Sequence, residues 1–135
     1  MLTKTIAATV EGVEGTLVTV EVDIRRGMPT FTIVGLADTT IKEACSRMKP
    51  AVLNSGFDFP DERVTVNLVP AGKPKEGTHF DLPIAVGMIT PELGFSIPED
   101  TAFLGELSLD GKLNRIKGAL PLVMCLRKQG IKKVI

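Results

Sequence analysis

The chain has one histidine, His79, placed just after the glycine of Lys75-Glu76-Gly77-Thr78-His79-Phe80-Asp81. Histidine titrates where general-base chemistry operates, so a hydroxyl or thiol held beside it could become a nucleophile. The sequence sets no serine, cysteine or acid cluster around it, and tetrahedral zinc wants about four ligands where one His is on offer. A loop histidine without a catalytic role is the reading that follows. Lys73 and Lys75 lie just before an apolar helical segment opening at Asp81. Helix N-termini attract anions through unpaired N–H groups, but Asp81 is expected to cap those amides itself, leaving a solvated loop. Gly105 to Lys112 approaches the phosphate-cradling pattern Gly-x-x-x-x-Gly-Lys-Ser/Thr. It has one residue too many between its glycines, and Leu113 stands where the metal-reaching hydroxyl belongs. Asp110-Gly111 reads instead as a hairpin tip, so no ATPase site is expected in this chain. The pairs Arg127-Lys128 and Lys132-Lys133 could form a basic rim. Lys73, Lys75, Arg127 and Lys128 are thus the candidate contacts to DNA or to a neighbouring subunit. Cys45 and Cys125 have no metal-ligand spacing and read as buried, reduced thiols.

The elements that must position these residues follow from periodicity. Residues 3–11 and 16–25 read as two strands joined by Gly12-Val13-Glu14-Gly15; in the second, Val18, Val20, Val22 and Ile24 alternate with Thr19, Glu21, Asp23 and Arg25, the pattern of a half-buried antiparallel strand. Thr30–Val34 repeats the alternation. Ile41, Cys45, Met48 and Val52 then fall at helical spacing, with a capping box expected at Thr40 and Glu43, a stop at Asn54-Ser55-Gly56, and a kink at Pro50. Arg63–Val69 is a fourth strand. The segment from Asp81 to Ile89 is apolar on every side and should be a buried helix, with Asp81 as its N-cap. Ala102–Leu109 and Lys112–Arg115 should pair as a hairpin. A last helix from about Gly118 is expected to turn Leu120, Val123 and Met124 inward and to end in Arg127-Lys128, and 131–135 starts another strand.

Composition narrows the function classes. The 135 residues carry 44% hydrophobic and 24% charged residues, which suits one soluble domain able to bury about two thirds of its unfolded surface. Sixteen basic residues balance sixteen acidic ones, so no overall field draws the chain toward nucleic acid or an anionic membrane. With no Trp or Tyr, base-stacking platforms would depend on Phe or on His79. No run approaches the roughly 18 apolar residues of a membrane span, and the opening residues lack the pattern of a secretory peptide; a cytoplasmic chain without membrane partners is expected. Residues 1–135 read as a single α+β domain, and a strand running into Ile135 without a polar tail suggests a piece excised from a longer polypeptide.

Lys75-Glu76-Gly77-Thr78-His79-Phe80-Asp81-Leu82-Pro83-Ile84, Gly105-Glu106-Leu107-Ser108-Leu109-Asp110-Gly111-Lys112 and Ile116-Lys117-Gly118-Ala119-Leu120-Pro121 together resemble the active-site segments of the Lon peptidase domain. The resemblance is greatest to a non-peptidase branch, the N-terminal domain of the magnesium-chelatase-like ComM/YifB family. Glu21-Val22-Asp23-Ile24, the run Gly27 to Leu36, Asn54-Ser55-Gly56-Phe57, Val66 to Ala71 and Phe103 to Ser108 also look like that family, so the likeness covers essentially the whole chain. It implies a two-layer, Lon-protease-like fold of the ribosomal-protein-domain-2 kind, with a mixed sheet and packed helices. It further implies a position ahead of an AAA+ ATPase module in a homo-hexameric motor that uses ATP and Mg and acts on branched DNA in recombination and natural transformation. Counted along the Lon pattern, the serine nucleophile falls on His79 and the lysine base on Leu120. Without those partners a Ser/Lys dyad cannot work, and the expectation is a non-catalytic scaffold. Thr78-His79 departs from the smaller residues usual there, and Pro50 interrupts a helix that is usually continuous. The alternatives are a peptidase recruiting Ser108 or Lys117, a free-standing nucleic-acid-binding domain, and the N-terminal domain of a magnesium-chelatase-type ATPase acting on another substrate.

Overall fold

A computed structural model describes all residues, Met1–Ile135. Alternating side chains dictate its centre. β1 (Leu2–Glu11) and β2 (Glu14–Arg25) form a long antiparallel hairpin. β4 (Arg63–Val69) pairs antiparallel with β2 in the register Val20↔Leu68 and Val22↔Val66. β3 (Thr30–Val34) runs parallel to β4, giving a mixed sheet in the order β1-β2-β4-β3. Val18, Val20, Val22, Val64, Val66 and Leu68 share one face and are fully or almost fully buried; each such side chain removed from water stabilises by about 1.5–3 kcal/mol. The opposite face carries the polar partners, with Asn67 donating to Glu21 at 3.0 Å. The helix Asp81–Leu93 lies on the valine face, with Gly87 against Val22, and the helix Ala119–Lys128 reaches the other face at the hairpin tip, with Cys125 against Gly15.

α1 (Thr39–Lys42) and α2 (Ala44–Asn54) are separated by a turn at Glu43 where one helix was expected. The cap differs too. Asp38, extended at φ −74° and ψ 177°, accepts from the Ile41 N–H at 2.8 Å, and Thr40 lies inside the first turn. Pro50 sits within α2, and the stop at Ser55-Gly56 is found as expected, with Gly56 at φ +89°. α3 (Asp81–Leu93) is the buried helix, with Ile84, Ala85, Gly87 and Met88 in the core. Gly87 is required by space: a Cβ there would meet Val22 Cγ2 at 2.7 Å.

The single expected strand from Ala102 to Leu109 is instead two short pieces. β5 (Thr101–Ala102) pairs parallel with β8 (Lys133–Val134), while β6 (Glu106–Leu107) pairs antiparallel with β7 (Leu113–Asn114). The break arises because Gly105 turns its backbone to the α3 entrance, donating to His79 O at 3.0 Å and accepting from Leu82 N at 3.0 Å. α4 (Ala119–Lys128) buries Leu122, Cys125 and Leu126, not the expected face; Leu120 is 70% exposed, and Val123 and Met124 are also exposed. Cys125 packs so closely over the β1–β2 hairpin that a Cβ on Gly15 would meet its Sγ at 2.7 Å. No helix is long and apolar enough to cross a membrane.

Candidate functional site

The Lys75–His79 and Lys117–Leu122 segments, remote in sequence, face each other across a cleft of about 440 Å³ that also touches Val10, Asp38 and Thr40. The first segment is placed by a small backbone bridge. Lys75 N–H donates to Leu36 O at 3.0 Å, and Asp38 N–H donates to Lys75 O at 3.1 Å, tying the loop after β4 to the loop after β3. The second segment is the αL turn at Gly118 (φ +67°) that opens α4.

His79 is not a solvated loop residue. It is the middle residue of a 3₁₀ turn, Thr78–Phe80, and is 7% exposed. Its Nε2 lies 2.8 Å from the Ala8 carbonyl; because a carbonyl only accepts, Nε2 carries the proton. The edge of the ring, Nδ1 and Cε1, abuts Gly77, where a Cβ would come within 2.7 Å. Burial pushes the imidazole below its ordinary 6.5, against the opposing pull of the Ala8 bond and of Asp81 and Asp38. The Ala8 bond leaves the ring's N–H committed to the backbone, and burial favours its neutral form.

Lys75 overturns its expected role as well. Far from being solvated, it is 1% exposed. Its Nζ donates to Gly35 O at 2.7 Å, to Leu68 O at 2.9 Å and to Pro70 O. An ammonium has three N–H donors and no acceptor, so three carbonyls saturate it. Burial lowers its pKa. It gathers the chain ends of β3 and β4 and cannot touch DNA or a neighbouring subunit. Gly35 (φ +105°) admits this convergence, since a Cβ there would sit 2.3 Å from Leu68 O.

Asp81 was expected to cap α3 and does not. Its carboxylate takes a two-point contact from Arg47, Nε at 2.8 Å and Nη2 at 2.9 Å, and accepts the Leu107 N–H at 3.0 Å. Its side chain is 1% exposed, and hydrogen bonding to it raises the Arg47 pKa. Arg47 was not singled out from sequence: it stands on α2, 34 positions away from Asp81, and no spacing rule joins them.

The remaining candidates are dispersed. Lys73 is exposed, with Nζ 3.4 Å from Thr16 Oγ1. Arg127 and Lys128 are exposed on the last turn of α4, and Lys128 borders a depression beside Glu14. Charge around the hairpin tip is therefore mixed. Leu120, at the lysine position, points away from the cleft, which Pro121 and Leu122 line instead. Ser108 lies in the β6–β7 hairpin, accepting from Asn114 Nδ2 at 2.7 Å, and not in the cleft that Lys117 lines. Gly105–Lys112 makes no phosphate cradle, because its amides serve its own turn: Gly111 N–H to Ser108 O at 2.9 Å and Lys112 N–H to Asp110 Oδ1 at 3.0 Å. ATP and its Mg do not fit these residues. Cys125 is buried and Cys45 half-buried, both free and both with thiol pKa values raised by burial.

Residues 20–135 match the profile of subunit ChlI of Mg-chelatase. The chain belongs to the ChlI family. Competence protein ComM of Haemophilus influenzae is 44% identical over 119 residues, 87% of this chain and 23% of that protein. The uncharacterized protein YifB of Escherichia coli is 40% identical over 126 residues, 92% of this chain and 25% of that protein. This ChlI-family chain thus spans about a quarter of the length of these relatives. Lon protease of Rhizobium meliloti is similar at 28% identity over 91% of the chain, in keeping with the Lon-like α+β architecture and its mixed sheet.

Proposed function

We propose that this chain is a non-catalytic scaffold domain, residues 1–135, of a longer ComM-like AAA+ ATPase. The observation that carries this reading is the cleft between the two segments. There His79 is bound to a backbone carbonyl, and Pro121 and Leu122 line the wall. Thr40 and Lys117 share the cleft, but no hydrogen bond joins either to His79 or to each other, so a base-activated nucleophile is missing. The parent would be a cytoplasmic homo-hexamer that holds ATP and Mg in its downstream module and works on branched DNA. Within this chain, the exposed Lys73, Arg127 and Lys128 are the contacts left for DNA or a neighbouring subunit. Phosphate neutralisation by such scattered cations would be weak and salt-dependent.

Deleting residues 1–135 from the parent tests the scaffold role. Loss of hexamer assembly or of branched-DNA processing, with nucleotide binding retained, is the expected result; an unaltered hexamer with unaltered DNA processing would sink it. A fluorogenic peptide screen of the 135-residue chain should show no cleavage, and turnover blocked by serine-reactive inhibitors would revive a peptidase.

A further inference from the structure

The outer edge of β1 is the feature that neither the scaffold reading nor the family accounts for. β1 ends the sheet order and has only β2 as a ladder neighbour. Along an antiparallel strand, alternate residues turn both N–H and C=O to the same side. Two bonds show which residues face out: Phe103 N–H donates to Ile6 O at 2.8 Å, and His79 Nε2 to Ala8 O at 2.8 Å. The next outward residue in that series is Val10. It is half-buried and borders three separate depressions. The outward carbonyls of Ile6 and Ala8 are therefore taken, and that of Val10 has no such partner.

Opposite Val10 lies a second stretch of extended backbone. Lys75 spends its N–H and C=O on Leu36 and Asp38, so the neighbouring Glu76 turns its own the other way. A groove of about 370 Å³ separates the two stretches and runs on into the His79 cleft, with Val10, Asp38 and Glu76 lining both. Its charge is predominantly negative. Glu11, Asp38 and Glu76 line it, and none of them is in an ion pair. Lys75 lines it too; its donors are all taken by three carbonyls, and its single positive charge leaves the three carboxylates in excess. The one free cation is Lys117, in the adjoining cleft.

We infer that this groove takes an extended peptide segment of a separate protein, carrying Lys or Arg, which pairs with the Val10 edge as an added strand. Main-chain bonds to a free strand edge supply affinity in such docking, and pockets for alternate side chains supply selectivity. Three carboxylates outside any ion pair, Asp38 also capping α1, outnumber the one buried ammonium and so favour cations over phosphate, which makes the groove a peptide site and not the DNA contact. The inference goes beyond the scaffold reading and survives if that reading fails, because it concerns binding by this chain alone.

The test is fluorescence anisotropy with the 135-residue chain and two labelled ten-residue peptides of one alternating pattern, Lys-Val repeats in one and Glu-Val repeats in the other. Binding of the lysine peptide, tighter than the glutamate peptide by at least about tenfold and weakened by salt, is expected. Glu76→Lys and Glu11→Lys, both at exposed sites, should each weaken it several-fold. Val10→Pro removes the edge N–H at a position where an edge strand tolerates proline, and should abolish binding while the far-UV circular dichroism stays unchanged. Should Val10→Pro unfold the chain, amide shift mapping of the unaltered protein decides, with changes expected at Val10 and Glu76. Absence of binding, equal binding of both peptides, indifference to the charge reversals, or shifts centred elsewhere would each overturn the proposal.

Discussion

At Lys75 an ammonium does the work usually left to a backbone ladder: it closes three carbonyls at the ends of β3 and β4. Lys75→Met keeps the length of the side chain and removes every donor. Unsatisfied buried acceptors cost about 1–3 kcal/mol each, so a loss of roughly 3 kcal/mol is expected in urea unfolding; a change within about 0.5 kcal/mol would mean that water replaces the ammonium. His79 makes a pH prediction. Its folded pKa lies below the ordinary 6.5 because burial disfavours the cation. Between that lowered value and 6.5 the unfolded chain binds more protons, so stability rises with pH there. Its contribution is present above pH 6.5 and is lost as the pH falls toward the folded value. Stability should therefore drop as the pH falls below 6.5 toward the lowered folded value, and His79→Leu should flatten that slope, which a urea series at several pH values will show.

Between elements, the decisive tie is Arg47 on α2 to Asp81 on α3, with the same carboxylate holding the Leu107 amide of β6. Arg47→Met leaves a buried carboxylate with a single donor, and breaking such a pair from one side costs about 3–5 kcal/mol. The value measured by urea unfolding should lie near the lower limit, since the Arg47 side chain keeps 19% exposure. α4 offers a paired test of orientation. Leu122→Ala empties a core position, 3% exposed, and should cost about 2–4 kcal/mol. Leu120→Ala, on the open side, should stay within about 0.5 kcal/mol. The reverse ranking would mean that α4 is rotated onto the face expected from sequence.

The whole molecule has one core: a single cluster of 24 buried residues draws on the four-stranded sheet, the helices and β6. A domain of this size with one core should unfold in one step. Urea curves followed by far-UV circular dichroism and by methyl proton resonances are expected to coincide; separate midpoints would mean that the region from β5 to β8 melts on its own.

The strands were legible along the chain because a period of two survives in a sheet with one face in water: Thr30–Val34 and Arg63–Val69 are found within their expected bounds. The all-apolar α3 was legible for the matching reason, that a helix without a polar face has to be buried. Other features depended on which elements meet. α4 has two apolar stripes of comparable strength, Leu120-Val123-Met124 and Leu122-Cys125-Leu126, and only packing against Gly15 chose between them. Charged residues before a helix look alike whether solvated or buried, so the carbonyl cage around Lys75, the Arg47–Asp81 tie and the carboxylates facing Val10 came into view only in three dimensions. Sequence determines the period of each element and the chemistry a residue can offer. Which partner a side chain meets depends on contacts between distant positions, and tertiary structure alone decides those.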